Sequence, residues 1–242
     1  SPDEGFGGRA SAETGRYGTT QFSGSVGADL GAADFIVSAS QLDTDGFNSR
    51  SIDSETPDDD GYENTSLHAR AGWDVSDALR LEAVLRSIDG ESDYDGCYSA
   101  SFSLTHDCRS DFEQDSWLLR AELETGAVNH ELSYAESDTD SASFSDGVFS
   151  FGSEGSLKRL SYVGRWQAGD ATAIVFGLDH ENESIDNGSL DRDRDQAGVF
   201  AEYQGRFDQL TVTAGVRYDD NDDFGEFSTY RVSAAYVLPV AA

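Results

Sequence analysis

The sequence predicts an all-β fold, an antiparallel, up-and-down transmembrane β-barrel of about twelve strands. Three observations carry this reading. Apolar and polar residues alternate with the strand period of two, as where Leu79, Leu81, Ala83 and Leu85 interleave with Arg80, Glu82, Val84 and Arg86. Most alternating segments run to ten residues or longer. That suits a tilted bilayer-crossing strand of about 9–11 residues better than the usual soluble strand of about 5–6. Short connections such as Gly31-Ala32 and Ser76-Asp77 take turns with long ones such as 43–64 and 89–115, so tight turns fall at one rim and long loops at the other.

Taken in order, the strands are placed near 8–17, 19–30, 33–43, 61–74, 77–88, 112–125, 127–138, 155–168, 170–182, 194–206, 209–219 and 229–238. The first two form a Gly-rich pair. In 112–125, Trp117, Leu119, Ala121 and Leu123 alternate with Leu118, Arg120, Glu122 and Glu124, and in 209–219 Leu210, Val212, Ala214 and Val216 alternate with Thr211, Thr213, Gly215 and Arg217. Alternation alone also fits a soluble sandwich with a wet outer face. Two further patterns favour the membrane: Arg70, Arg80, Arg86, Arg120, Arg165 and Arg217 fall on polar faces, as a hydrated interior requires, and Trp73, Trp117, Trp166, Tyr203, Tyr218 and Tyr236 fall near strand ends, where interfacial girdles sit.

Composition narrows the partners. Three prolines, 25 glycines and 27 aromatic residues without a methionine describe a strand-rich chain with many turns. No stretch approaches the roughly 18 apolar residues of a spanning helix, a test to which barrel strands are blind. With 242 residues and no Pro/Ser-rich linker, the chain reads as a single β-barrel domain or barrel fragment over 1–242. Residues 1–9 lack the basic start and apolar core of a signal peptide. The net charge of −31, with Lys158 as the only lysine, argues against nucleic acid and for cations as partners. Five long loops, 43–64, 89–115, 136–154, 179–195 and 219–226, hold 33 of the 47 acidic residues.

Cys97 and Cys108 share one of these loops, and the pair without a third cysteine suggests a structural disulfide in an oxidising compartment, two free thiols being the alternative. Zinc is disfavoured, since His106 supplies at most a third ligand. Asp191, Asp193, Asp195 and Glu202 fit the count of an EF-hand, but Gln196 stands where its turn needs Gly and a strand follows in place of a helix. The Asn-x-Ser strings at Asn64, Asn182 and Asn187 matter only in a eukaryotic secretory setting that nothing else supports. His68, His106, His130 and His180 are scattered and there is no HExxH or GxSxG, so no enzyme is expected.

Several strings carry a family resemblance. The Gly-rich pair 7–30, the run from Asp77 to Arg86 leading to Asp93-Tyr94-Asp95, the Pro57-Asp58-Asp59-Asp60-Gly61-Tyr62 string and the late Arg217-Tyr218-Asp219-Asp220-Asn221-Asp222-Asp223-Phe224-Gly225 phrase occur in the order found in TonB-dependent outer-membrane receptors. Within that family the chain most resembles the cobalamin receptors. The resemblance implies a bacterial outer-membrane location, contact with membrane lipid, a 22-stranded barrel of which this chain forms part, and a large chelate such as cobalamin as transported ligand. It also implies an N-terminal plug contacted by an energy-coupling protein; the chain carries no plug sequence, so the expectation is a barrel portion whose coupling partner acts through the missing plug. Asp58, Asp60, Asp95 and Asp107 resemble the aspartates that organise substrate-facing loops around calcium, with Asn48, Asp59 and Asp93 as further candidates. The alternatives are a self-contained passive pore and a soluble acidic calcium-binding β protein.

Overall fold

The computed structural model describes residues 5–50 and 59–238. The strands are β1 (Gly5–Thr14), β2 (Thr20–Asp29), β3 (Ala33–Phe47), β4 (Asp60–Ser76), β5 (Leu79–Tyr94), β6 (Cys97–Tyr98), β7 (Leu104–Thr105), β8 (Cys108–Thr125), β9 (Val128–Ser145), β10 (Val148–Gly169), β11 (Thr172–Asp186), β12 (Asp191–Phe207), β13 (Leu210–Asn221) and β14 (Gly225–Tyr236). All but β6 and β7 join one 12-stranded antiparallel sheet in chain order, with β1 and β14 at opposite edges. β6 and β7 pair as a small separate hairpin that sequence periodicity did not disclose.

Each of the twelve expected spans is a strand of the large sheet. Several reach much further than expected, and this corrects the picture of long acidic loops. β9 and β10 pair from Val128 and Trp166 up to Ser145 and Val148, so 136–154 is strand almost throughout. The hairpin closes at Asp146-Gly147, both with positive φ (52° and 69°), the backbone that a tight two-residue turn between twisted strands demands. Likewise β11 and β12 stay paired to Asp186 and Asp191, and β13 and β14 to Asn221 and Gly225. A ladder of backbone hydrogen bonds needs no apolar face once the strands rise clear of the bilayer. The period-2 signal therefore fades before the strands end.

The two faces differ as a membrane wall requires. Following the register across the sheet places all six arginines named above on one face. All six girdle aromatics fall on the other. Along β3, Val37, Ala39 and Gln41 are exposed while Ser38, Ser40 and Leu42 are half-buried, so the polar face is the more enclosed one. It is the lumen side. The opposite face displays Leu85, Leu119, Leu132, Leu178, Val199 and Val216, each more than half or about half exposed, as suits contact with hydrocarbon.

Ion-pair networks occupy the lumen face. Asp34 bridges Arg70 and Arg80 at 2.6 and 2.5 Å, Arg70 continues to Glu82, and Arg120 reaches Glu82 at 3.4 Å. In the second, Arg217 holds Asp179 at 2.8 Å and Asp219 at 2.6 Å. Both networks pass over a glycine. A Cβ on Gly72 would collide with the Arg80 guanidinium, and one on Gly198 with the Arg217 guanidinium. The missing side chains leave room for arginines to lie flat along the wall.

Candidate functional site

The candidate site lies at the rim opposite the tight turns, where β3, β4, β5 and β8 rise past the aromatic level. The segment after β5 folds back through β6 and β7, and the Cys97–Cys108 disulfide (Cα–Cα 6.0 Å) ties its two ends together. The expected pairing is thus present. Closing so short a loop removes freedom mainly from the unfolded chain. The Asp146 amide donates to the Asp107 carbonyl at 2.9 Å, and the Thr105 hydroxyl pairs with the Asp146 carboxylate at 2.5 Å, so the small hairpin is docked on the β9–β10 turn.

Asp60 and Asp95 are brought together through Ser49, whose amide donates to Asp60 Oδ2 at 2.5 Å and whose hydroxyl donates to Asp95 Oδ2 at 3.2 Å. The Asp95 side chain is only 4 % exposed, and its Oδ1 faces His106 Nδ1 at 3.3 Å. Asp107 is exposed, yet it and Asp60 both lie close enough to Asp93 to repel its charge. Asn48 makes a local turn, its Oδ1 accepting from the Arg50 amide at 2.9 Å. Asp59 lines an acidic cavity of about 280 Å3 with Asp43, Asp45, Glu63, Glu91 and Asp93. Asp58 lies outside the described residues. Among the described residues no group of three or more His, Cys, Asp or Glu converges tightly enough to hold a metal ion.

Sequence reasoning missed the order within this acidity. Asp43, Glu63, Glu91 and Asp111 stand directly opposite one another across four strands. A second row runs Asp89, Glu113, Asp140, Glu154, Asp186 and Asp191 across six strands. Both rows are on the outer face, above the aromatics. Like charges directly opposite in a sheet repel, so these rows raise the energy of the bare protein. Only the strand register reveals them; in sequence the partners are tens of residues apart.

Electrostatics at the rim follow from this crowding. Burial raises the Asp93 carboxyl above its ordinary value; Arg109 pulls it back, and Asp60 and Asp107 push it up again. Glu63 is raised by sharing a hydrogen bond with Asp43, opposite it, and by the charges of Glu91 and Asp93. Folded Asp93 therefore binds its proton more tightly than the unfolded chain does. The stability this gives is present below the ordinary value of 3.8 and is lost as pH rises through the raised folded value. The Asp93 and Glu63 carboxyls are expected to begin protonating above the ordinary carboxylate range as pH is lowered; a residue-resolved carbon-13 carboxyl titration in which both stay flat until ordinary carboxylates protonate would contradict the coupling.

Two other histidines make local contacts. His130 sits between the Thr125 and Tyr162 hydroxyls at 2.7 and 2.8 Å, and His180 lies 3.3 Å from Asp195.

Comparison with known proteins fixes the class. Residues 2–239 match the family model described as TonB dependent receptor-like, beta-barrel. The chain is 28 % identical over 232 residues to the vitamin B12 transporter BtuB of Photobacterium profundum, covering 92 % of this chain and 36 % of the relative. It is 24 % identical over 210 residues to the BtuB of Vibrio vulnificus, covering 81 % and 33 %. Among solved structures, the siderophore receptor PirA of Acinetobacter baumannii superposes with a TM-score of 0.76 at 14 % identity, over 98 % of this chain and 42 % of that one. The FrpB iron transporter of Neisseria meningitidis, F5-1 variant, gives 0.75 at 13 % identity over 96 % and 44 %. The chain spans about a third of the length of the curated relatives it matches. Its polar lumen face, lipid-facing apolar face and aromatic levels are those of a wall in the bacterial outer membrane. The chain belongs to the TonB-dependent receptor family, as part of its β-barrel.

Proposed function

We propose that this chain is part of the barrel wall and outer mouth of a receptor that takes up a cobalamin or another large chelate, with calcium ordering the loops at its mouth. The observation that carries the ligand class is the likeness to vitamin B12 transporters over 92 % of the chain. In such a receptor the barrel supplies the outer binding mouth, and a plug moved by an inner-membrane coupling protein opens the path; no catalytic step is involved. A self-contained pore would need β1 paired with β14, whereas among the described residues the strand order leaves them at opposite edges.

Calcium takes six to eight oxygen ligands in flexible geometry; the carboxylates of Asp60, Asp93, Asp95 and Asp107 and the Ser49 hydroxyl gather at this rim without converging, so a bound ion would draw them together as it orders the loops. A bound cation would offset the repulsion at Asp93. It would also join the segments 43–62 and 89–111, lowering the ordering cost when a ligand is captured.

Replacing Asp95 and Asp107 by Asn removes two charges at constant volume. Calcium affinity, read by calorimetry on the protein in detergent, should fall more than for the same change at Asp186 and Asp191. Equal loss from both pairs would mean diffuse neutralisation of the acidic rows and would sink the specific site. Cyanocobalamin binding should weaken when calcium is chelated; no binding with or without calcium would remove the ligand and leave the cation site standing.

A further inference from the structure

We propose that the lipid-facing side of β4, β5 and β8, flanked by β9 and β10, holds one acyl chain of a periplasmic-leaflet phospholipid in a fixed groove. Most of this face is built from large side chains, but here small ones coincide. Ala71 stands directly opposite Ala83, and Ala121 lies one step away beside Leu81. Between them the backbone of Gly72, Glu82 and Arg120 is left uncovered, because the side chains of Glu82 and Arg120 turn to the lumen and Gly72 has none. The result is a recess of about 450 Å3. Trp73, Leu119 and Leu132, each about half exposed, wall it.

A flat wall touches a passing chain on one side only. A recess floored by methyl groups and bounded by Trp and Leu touches it on several sides, and dispersion contacts, tiny singly, add up over such an enclosure. Water gains nothing there, since an apolar recess offers it no hydrogen-bond partners. The occupant is thus apolar, flexible and drawn from the bilayer that covers this face. Its leaflet follows from position: Trp73 lies three residues from the end of β4 and Leu81 is the third residue of β5, both beside the tight-turn rim. The same region carries a polar edge. His130, two residues from Leu132 toward that rim and on the same face, is hydrogen-bonded to the Thr125 and Tyr162 hydroxyls, at the level where ester and headgroup atoms of such a lipid lie.

The test uses two single-tryptophan forms of the protein, one keeping Trp73 and one keeping Trp166, reconstituted in phosphatidylethanolamine vesicles containing a minor fraction of phospholipid brominated in its acyl chain. Both tryptophans face lipid near the same rim, yet only Trp73 borders the groove. Trp73 fluorescence should be quenched more than that of Trp166, and filling the groove by Ala83→Phe with Ala121→Phe should bring it down to the Trp166 level. Equal quenching in the unfilled protein, or quenching indifferent to filling, overturns the proposal. Should the filled variant fail to insert, native mass spectrometry of the unsubstituted protein decides: a retained phospholipid supports the groove, and bare protein overturns it. Either result leaves the receptor reading untouched, because that reading rests on the family and the mouth.

Discussion

Replacing Arg217 by Met should destabilise the inserted protein by about 3–5 kcal/mol, the cost of breaking a buried ion cluster from one side. Arg217 makes two hydrogen bonds to Asp179, at 2.8 and 3.0 Å, and its Nε lies 2.8 Å from Asp219 Oδ1. The two carboxylates are 7 % and 4 % exposed, so water cannot take over when the guanidinium goes. Arg159, 3.8 Å from Asp179, is half exposed and pairs with it only loosely, so it offsets the loss only in part. Unfolding in guanidinium chloride from lipid vesicles measures the loss. Lys at this position should recover only part of it, since one ammonium cannot match a fork that serves two carboxylates. A loss below about 1 kcal/mol would mean the cluster is wet and behaves as a surface pair.

The parts of the fold that were legible in the sequence are those where one face meets lipid. Leu79 to Arg86 alternates because its odd positions face hydrocarbon and its even positions face the lumen, and the same rule sorted Arg120 from Trp117 and Arg217 from Tyr218. Above the aromatics both faces meet water and the rule has nothing to report. Residues 136–154 looked like a loop for that reason, although Glu136 pairs with Lys158 and Asp140 with Glu154 in an unbroken ladder.

At the rim, the disulfide could be anticipated from two cysteines in one segment. The link between Asp60 and Asp95 could not, because it runs through Ser49, a residue with no chemical signature of its own. In the sequence His106 stands as one of four scattered histidines or at most a third zinc ligand, yet it lies against the buried Asp95 carboxylate. Burial is a three-dimensional property: nothing in the string Asp93-Tyr94-Asp95 tells that Asp95 is enclosed while Asp107 is open.

The assignment of faces makes the other large prediction. Leu178 is 51 % exposed on the apolar side, opposite Tyr162 and Val199 and between the aromatic levels, so Leu178→Arg sends a charge into hydrocarbon. For a barrel strand near the midplane that costs about 2–4 kcal/mol. Val163 is the counterpart at the same height on the lumen side, opposite Gly177 and Glu131. An arginine there meets a hydrated wall with a carboxylate beside it, and Val163→Arg should change stability by less than about 1 kcal/mol. Unfolding both variants from vesicles under one set of conditions compares them directly. Because side chains in a strand point alternately to the two faces, an inverted assignment would reverse the order of the two costs, and a larger loss for Val163→Arg than for Leu178→Arg would place the lumen on the other side of the sheet.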